Sequence, residues 1–268
     1  MLQQEGGNAD ERSVSAALRP AVTAAQSAIP DPQSPILSLA SIFAGYRDRP
    51  VLHNVSFAVG QNERAAMIGP NGCGKTTLLK VVAGALRPTG GQVMFHAKDI
   101  VHTPGHQRIR MGMGYLMQTR NIFPSLSVEE NLHMSFWHGD GAFAARRDWV
   151  LSVFPMLRDR LQCRAGFLSG GERQALAIGM VLIRPVELLL LDEPTAGLSP
   201  KAAIEILEAL HRAQAEERFS CVMVEHNLRL IQPWVTRVLV MQQGRVVADR
   251  DDPSILLNQE QLQRFYFA

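Results

Sequence analysis

Short apolar stretches alternate with longer amphipathic stretches along most of the chain. Residues 51–59 alternate polar and apolar side chains, which predicts a half-buried strand. A short apolar run at 64–68 that leads into a glycine-rich turn predicts a strand, and the apolar run at 186–191 predicts a strand that is fully buried. Because strands that alternate with helices usually build parallel sheets, the pattern predicts an α/β fold with a mainly parallel sheet.

The predicted helices lie between these strands. Helical character is expected over 75–83 and 171–183, and Ser199 is expected to cap a helix that begins at Pro200. The residues expected on the core face of this last helix are Ile204, Leu207 and Leu210. Further strands are predicted over 92–95, 221–224, 238–241 and 245–248, the last two as a hairpin.

The chain also divides by composition. Residues 1–35 are rich in Ala, Gln and Ser and lack apolar periodicity, which predicts a disordered N-terminal extension before an ordered domain over 36–268. Within that domain, 119–165 is expected to be a helical subdomain and 253–268 to form short C-terminal helices. Aromatic residues are scattered through the helical subdomain. Most are expected to form its core, and the alternative is that they line a groove that receives a partner. They are Phe123, Phe136, Trp137, Phe143, Trp149 and Phe154.

Composition restricts the class of protein. The chain has 268 residues, of which 46% are hydrophobic, so a sizeable core is expected. Its 27 Lys and Arg against 25 Asp and Glu give a net charge of +2, which argues against a dedicated nucleic-acid binder. Three cysteines without paired spacing favour a reducing compartment. We expect no membrane-spanning helix and no secretory signal, so any work at a membrane requires another protein to hold the chain there.

A glycine-rich loop lies between the predicted strand 64–68 and the predicted helix 75–83. It fits the pattern G-x-x-x-x-G-K-[ST], whose backbone N–H groups curl around phosphate oxygens while the helix N-terminus adds a favourable dipole. Lys75 is expected to reach the β- and γ-phosphates of ATP, and the Thr76 hydroxyl to ligate Mg²⁺. This phosphate loop consists of Gly69, Pro70, Asn71, Gly72, Cys73, Gly74, Lys75 and Thr76.

Two carboxylates follow the predicted buried strand 186–191. Carboxyl ends of strands are where α/β folds place ligands, so Asp192 and Glu193 are expected near the phosphate loop. Asp192 is expected to hold Mg²⁺ through a water molecule, and Glu193 to orient and activate the attacking water.

A third motif lies just before this strand, in the sequence Leu-Ser-Gly-Gly-Glu-Arg-Gln at 168–174. Ser169 is expected to cap the helix that follows, and the glycines leave its N-terminal N–H groups open to an anion. With the phosphate loop ahead of it and the carboxylates behind it, the chain from about residue 36 onward resembles the ATP-binding cassette (ABC) ATPases. The motif at 168–174 matches the signature loop of that family.

The resemblance implies a fold and a site. The fold is a P-loop NTPase with a mainly parallel RecA-like core, an antiparallel β subdomain and a helical subdomain. Tyr46 matches the aromatic residue that stacks on adenine, Gln118 matches the glutamine that contacts Mg²⁺, and His226 matches the histidine that steadies the γ-phosphate and the attacking water. The remaining residues expected to contact ATP beyond the phosphate loop are Thr77, Ser169, Gly170, Gly171 and Glu172.

The resemblance also implies partners. Family members work as head-to-tail dimers, in which ATP is buried between the phosphate loop of one subunit and the signature loop of a second, identical or different, ATPase. A single cassette without a membrane span looks like a separate subunit that drives transmembrane permease subunits from the cytoplasmic face of the inner membrane. Segments 121–132, 175–179 and 224–227 resemble the ATPases that import branched-chain amino acids or urea and short amides. In such systems an extracytoplasmic solute-binding protein and the permease select the substrate.

Non-transport members of the family are the alternative. The chromosome-maintenance members insert long coiled coils between the phosphate loop and the signature loop, and no sustained heptads lie there in this chain. The translation-associated members carry two cassettes, whereas this chain has one phosphate loop. An ATPase that couples hydrolysis to transport is therefore the preferred interpretation.

Three positions depart from the family pattern or suggest additional chemistry. Ser199 stands where many relatives have Asp, and Met180 stands where many have Arg. Cys73 lies close to Lys75 and to a helix N-terminus, both of which lower a thiol pKa. Alkylation of Cys73 is therefore expected to block ATP hydrolysis, with bound ATP protecting, while a small filler residue of ordinary reactivity is the alternative.

Overall fold

The structure, a computed structural model, describes residues 34–263 except 48, 120, 137–141, 259 and 261. Most of the predicted N-terminal extension, Trp137 and the last residues of the predicted C-terminal helices therefore lie outside the described residues. Among the described residues, no helix is long and apolar enough to cross a membrane.

The strands and helices alternate as the apolar pattern predicts. The strands are β1 (Leu37–Tyr46), β2 (Arg49–Val59), β3 (Arg64–Ile68), β4 (Gly90–Phe95), β5 (Lys98–Asp99), β6 (Met113–Leu116), β7 (Leu188–Asp192), β8 (Ser220–Val224), β9 (Arg237–Gln242) and β10 (Arg245–Arg250). The α-helices are α1 (Lys75–Val82), α2 (Gly105–Arg110), α3 (Val128–Ser135), α4 (Phe143–Val153), α5 (Gly170–Leu182), α6 (Pro200–Glu217) and α7 (Leu228–Ile231). Short 3₁₀ helices span Pro155–Arg160, Ala165–Phe167 and Pro253–Leu257.

Two sheets organise the molecule. The first is antiparallel, with strand order β2-β1-β4-β5. The second has the order β10-β9-β3-β8-β7-β6, in which every neighbouring pair except β10–β9 is parallel. A mainly parallel core and an antiparallel β subdomain are thus confirmed, and α3, α4 and the 3₁₀ helix Pro155–Arg160 lie in the segment 119–165 that was predicted to be helical.

The central strands are buried on both faces, because helices cover one side of the parallel sheet and the antiparallel sheet covers part of the other. In β7, Leu189 and Leu191 belong to the core cluster that contains the helical segment, whereas Leu188 and Leu190 belong to the cluster under the antiparallel sheet. This two-sided burial explains why the strand reads as a continuous apolar run that ends in Asp192.

Helix α6 corrects one prediction. Ser199 caps it, with its Oγ accepting a hydrogen bond from the Ala202 N–H, as expected. Leu207 and Leu210 are buried, but Ile204 is 46% exposed and does not face the core. The buried stripe instead begins at Ala203, four residues before Leu207, and Ile204 lies about 100° further round the helix.

The core role predicted for most of the aromatic residues is confirmed where the structure describes them. Phe154 is fully buried, while Phe123 is 48% exposed. The partly buried aromatic side chains packed on the same core are Phe136, Phe143 and Trp149.

Candidate functional site

The phosphate loop connects β3 to α1 and is shaped by glycines in backbone conformations that L-residues avoid. Gly69 has φ of 150°, and a Cβ there would lie 2.1 Å from the carbonyl oxygen of Met241 in β9. The Lys75 side chain is buried inside the loop, where its Nζ donates to the carbonyl oxygens of Gly69 at 2.7 Å and Pro70 at 3.0 Å. The loop therefore holds a cation on its inner side, next to the N-terminus of α1, as phosphate binding requires.

Asp192 lies at the carboxyl end of β7 and is 1% exposed. Its Oδ1 accepts a hydrogen bond of 3.1 Å from the Thr76 hydroxyl, which joins the carboxylate to the first turn of α1. Its Oδ2 is buried and has no hydrogen-bond partner within the part of the chain that the structure describes. Burial raises the pKa of Asp192, and the neighbouring Glu193 adds to the increase, while the Thr76 hydrogen bond and nearby lysines oppose it.

Glu193 contacts two of the other predicted catalytic residues, Gln118 and His226. Its Oε2 accepts a 3.0 Å hydrogen bond from the Gln118 side-chain amide, and its Oε1 lies 3.0 Å from His226 Nε2. The backbone of Glu193 is left-handed, with φ of 54°, which is uncommon for a residue other than glycine and is often found at functional sites. Gln118 follows β6 and His226 follows β8, so three strands deliver these side chains to one edge of the sheet.

These residues surround one cleft of about 530 Å³. Its lining joins the phosphate loop, the start of α1 and the predicted catalytic side chains, together with Val51 of β2. The residues that line it are Val51, Asn71, Gly72, Gly74, Lys75, Thr76, Thr77, Gln118, Glu193 and His226. The cleft can therefore place a phosphate chain beside a carboxylate, an amide and an imidazole.

Tyr46 is not among the residues that line this cleft. The residue ends β1, and its side chain is 44% exposed. Its hydroxyl accepts a hydrogen bond of 3.4 Å from Lys80 Nζ, and the same ammonium lies 5.6 Å from the centre of the ring. Tyr46 is thus positioned against α1 with much of its ring open to solvent.

The signature loop forms a separate site at the start of α5. Ser169 Oγ accepts from the Glu172 N–H, and the Glu172 carboxylate accepts from the Ser169 N–H, so the expected cap is a reciprocal capping box. These hydrogen bonds, led by the Ser169 N–H, lower the pKa of Glu172. The residues that line the cleft here, of about 390 Å³, include Ser169, Gly170, Gly171, Glu172, Gly197 and Ser199. Within the described chain, the signature loop and the phosphate loop therefore do not share a cleft.

The prediction of a lowered pKa for the Cys73 thiol was wrong. Cys73 is 5% exposed, and burial raises its pKa more than the nearby Lys75 lowers it. Lys75 Nζ is 3.9 Å from the sulfur but donates its shorter hydrogen bonds to carbonyl oxygens. The sequence showed the neighbouring lysine but not the burial of the loop's inner side.

Glu225 is a residue that the analysis of the sequence did not single out. It directly follows β8, is 4% exposed, and accepts hydrogen bonds from Thr195 and His226. A charged residue placed immediately after five fully buried strand residues was the available signal. Met180 is buried in the core on α5, and nothing in the structure explains why it stands where relatives carry Arg.

The phosphate loop, the buried carboxylate at the end of β7 and the mainly parallel sheet together define a nucleotide-binding P-loop ATPase. The family model described as ABC transporter matches residues 52–196, which span the phosphate loop, the signature loop and both carboxylates. The chain belongs to the ABC transporter family and is an ATPase. ATP-binding subunits of ABC transporters act together with transmembrane permease components.

Relatives agree over most of the chain. It is 37% identical to the probable branched-chain amino acid transport ATP-binding protein LivF of Archaeoglobus fulgidus, covering 79% of this chain and 90% of LivF. It is 35% identical to the high-affinity branched-chain amino acid transport ATP-binding protein BraG of Pseudomonas aeruginosa, covering 83% and 96%. It is 32% identical to the lipopolysaccharide export system ATP-binding protein LptB of Acidithiobacillus ferridurans, covering 80% and 89%.

A solved structure also has a similar fold. The crystal structure of a nucleotide-free ATP-binding cassette from an ABC transporter matches with a TM-score of 0.78 and 25% identity, covering 88% of this chain and all of that one.

Proposed function

We propose that this chain hydrolyses ATP to drive the uptake of a small polar solute, most specifically a branched-chain or other hydrophobic amino acid. The main support for this proposal is that residues of the phosphate loop line the same cleft as Glu193, Gln118 and His226. The choice of solute rests on the identity of 35–37% to LivF and BraG over most of both proteins. Export, the role in the name of LptB, has the support of a lower identity of 32% over a similar span.

The residues of the cleft have distinct roles in hydrolysis. Lys75 and the loop N–H groups bind the β- and γ-phosphates and stabilise the charge that develops on them. Glu193 accepts a proton from the water that attacks the γ-phosphorus, as the bond between that phosphorus and the leaving oxygen of ADP breaks. His226, 3.0 Å from Glu193, orients that carboxylate and the water, and Tyr46 stacks on the adenine.

Magnesium fits the donor set of this site. The hydroxyl of Thr76 and the unpartnered Oδ2 of buried Asp192 are hard oxygen donors that lie next to the phosphate loop, and Gln118 offers an amide oxygen. These residues would hold Mg²⁺, which would neutralise charge on the phosphate oxygens. The raised pKa of Asp192 is consistent with a carboxylate that needs a cation beside it.

A second ATPase subunit, identical or different, completes the site. The signature loop lies in its own cleft, where Ser169 offers its hydroxyl and Gly171 offers its N–H at the start of α5. Docked on the γ-phosphate held by a partner's phosphate loop, these groups stabilise its outer face. Closure of such a head-to-tail dimer on ATP moves permease subunits at the cytoplasmic face of the inner membrane, while a solute-binding protein outside delivers the substrate.

The test uses Glu193→Gln, which should keep ATP binding and stop hydrolysis, so that the ATP-bound complex persists. A tagged variant is expressed in the source cell, the membranes are solubilised gently with ATP and Mg²⁺, and proteins that co-purify are identified. The matched control is Lys75→Ala with Glu193→Gln, which should not bind ATP and should lose the ATP-dependent partners.

The partners decide between the functions. Permease subunits together with a binding protein that prefers branched-chain amino acids are the expected result, and a second ATPase in the complex would identify a heterodimer. A binding protein selective for urea or amides would correct the solute, and lipopolysaccharide-export partners would correct the direction of transport. Recovery of only ribosomal or DNA-associated proteins would contradict a transport function.

A further inference from the structure

The turn after Glu193 and the segment that carries His226 run side by side and are joined by several hydrogen bonds. The Glu193 N–H donates to the carbonyl oxygen of Val224 at 3.0 Å. The side chain of Glu193 also lies 3.0 Å from that of His226, measured from Oε1 to Nε2. Glu225 stands between Val224 and His226 in the sequence, and it is almost fully buried.

Glu225 uses both of its carboxylate oxygens. Its Oε1 accepts from the Thr195 N–H at 2.8 Å and from the Thr195 hydroxyl at 2.6 Å. Its Oε2 accepts from the N–H of His226 at 3.0 Å. One buried carboxylate therefore connects the residue two positions after Glu193 to the main chain of His226.

We infer that Glu225 is a positioning residue for ATP hydrolysis. Its carboxylate links the main chain of His226 to Thr195 by hydrogen bonds and so keeps the His226 side chain beside Glu193. This role rests on the proposed function of Glu193 and His226. His226 is 44% exposed at its side chain, so packing alone does little to fix its ring, and the bond at its own N–H restrains the backbone from which the ring projects. A buried carboxylate without its partners would be costly, so the three bonds also hold each other in place.

The geometry predicts what each substitution does. In Glu225→Gln the amide keeps the size of the side chain and one acceptor oxygen, but its NH₂ group cannot accept a hydrogen bond. Either the Thr195 bonds or the His226 bond is then lost. Thr195→Val removes only the hydroxyl bond, whereas Thr195→Ser retains it and serves as the matched control.

Steady-state ATP hydrolysis is the first readout. Glu225→Gln is expected to lower kcat about tenfold with KM for ATP within about twofold, as for a group that acts on the reacting geometry rather than on binding. Thr195→Val is expected to lower kcat several-fold, and Thr195→Ser to remain within about twofold of the unmodified chain. Melting temperatures measured in parallel show whether each variant is folded.

A double-mutant cycle tests the route through His226. If Glu225 acts by positioning that ring, Glu225→Gln in a His226→Ala background should lower kcat less than about twofold further. An equal tenfold loss in both backgrounds, or no loss in the unmodified background, would overturn the inference.

Amide hydrogen exchange gives a readout that does not depend on turnover. The N–H of His226 or that of Thr195, whichever loses its acceptor, should exchange faster in Glu225→Gln than in the unmodified chain, while amides of helix α4 should not change. Unchanged exchange at both of these amides would overturn the inference. Retention of full activity by Glu193→Gln and His226→Ala would instead contradict the proposed roles of those two residues, so the two failures can be told apart.

Discussion

Two glycines of the phosphate loop allow a paired test of how the loop is built. Gly69 and Gly72 both have positive φ, of 150° and 79°. A Cβ at Gly72 would meet nothing within 4 Å, whereas at Gly69 it would lie 2.1 Å from the Met241 carbonyl oxygen and 2.9 Å from Cys73 Sγ. Substitution by Ala therefore adds backbone strain at both positions but a main-chain clash only at Gly69.

The magnitudes follow from this difference. Gly72→Ala should cost about 1 kcal/mol of unfolding free energy, the price of a left-handed backbone for an L-residue. Gly69→Ala should cost about 4 kcal/mol, because its φ belongs to a region that only glycine occupies readily and because the loop or β9 must move away. For a chain of this size, these values correspond to melting-temperature losses of about 3 °C and about 12 °C.

Thermal unfolding without nucleotide, followed by circular dichroism, measures both variants under the same conditions. Urea unfolding at 25 °C provides the free energies directly. Equal destabilisation by the two substitutions, or a larger loss for Gly72→Ala, would refute the close packing of the loop against β9.

Three further expectations follow from the structure. Asp192→Asn should abolish Mg²⁺-dependent ATP hydrolysis yet raise the melting temperature at pH 7. Burial raises the pKa of Asp192, so the neutral amide avoids the cost of a buried charge. A lower melting temperature would contradict this. Cys73 should react with a maleimide at pH 8 more slowly than the more exposed Cys163. Mass spectrometry of Cys73→Ala and Cys163→Ala chains measures the two rates separately. A faster reaction at Cys73 than at Cys163 would show that burial does not control its reactivity. Ser199→Ala should lower the stability by about 1 kcal/mol while Ser199→Asp retains it, since either oxygen can cap α6; equal losses would exclude the capping role.

The pH dependence of Asp192 has a definite sign. Its pKa in the folded chain lies above its value in the unfolded chain, so the folded state binds the proton more tightly. The stability contributed by this group is therefore complete below the unfolded pKa and is lost as the pH rises through the folded pKa. Asp192→Asn should remove that loss, so its stabilising effect should be larger at pH 7 than at pH 4.

Much of the fold could be predicted because the local order of apolar and polar residues indicates which positions of a strand or helix are buried. The strand predicted over 64–68 has the bounds of β3, whose four apolar residues are all buried. Ala66 and Ile68 face one core, and Met67 faces the other. Ile204 shows the limit of such patterns: its residue type suits the core, but only the position of neighbouring elements decides which side of α6 is buried. The short strand β6 has little hydrophobic pattern of its own, and the glycine at position 114 is explained by the close approach of the side chains of Val181, Val186 and Leu189.

The site was predictable where one motif contains all of its groups, and less so where distant segments meet. The phosphate loop and the pair Asp192 and Glu193 lie where their motifs place them. The link between Thr195 and Glu225 joins residues that are 30 positions apart, and no local pattern reveals it. The raised pKa of Cys73 likewise comes from long-range burial and outweighs the neighbour that the sequence does show.

Hydrolysis of ATP by Glu193→Gln, compared with the unmodified chain, tests the central claim most directly. Turnover of radiolabelled ATP and equilibrium ATP binding are measured on the same preparations with Mg²⁺ present. We expect turnover to fall about 100-fold or more while the Kd for ATP changes less than about threefold, since Glu193 acts on the water and not on nucleotide binding. Turnover within about twofold of the unmodified chain would contradict the assignment of Glu193 as the base and the mechanism built on it.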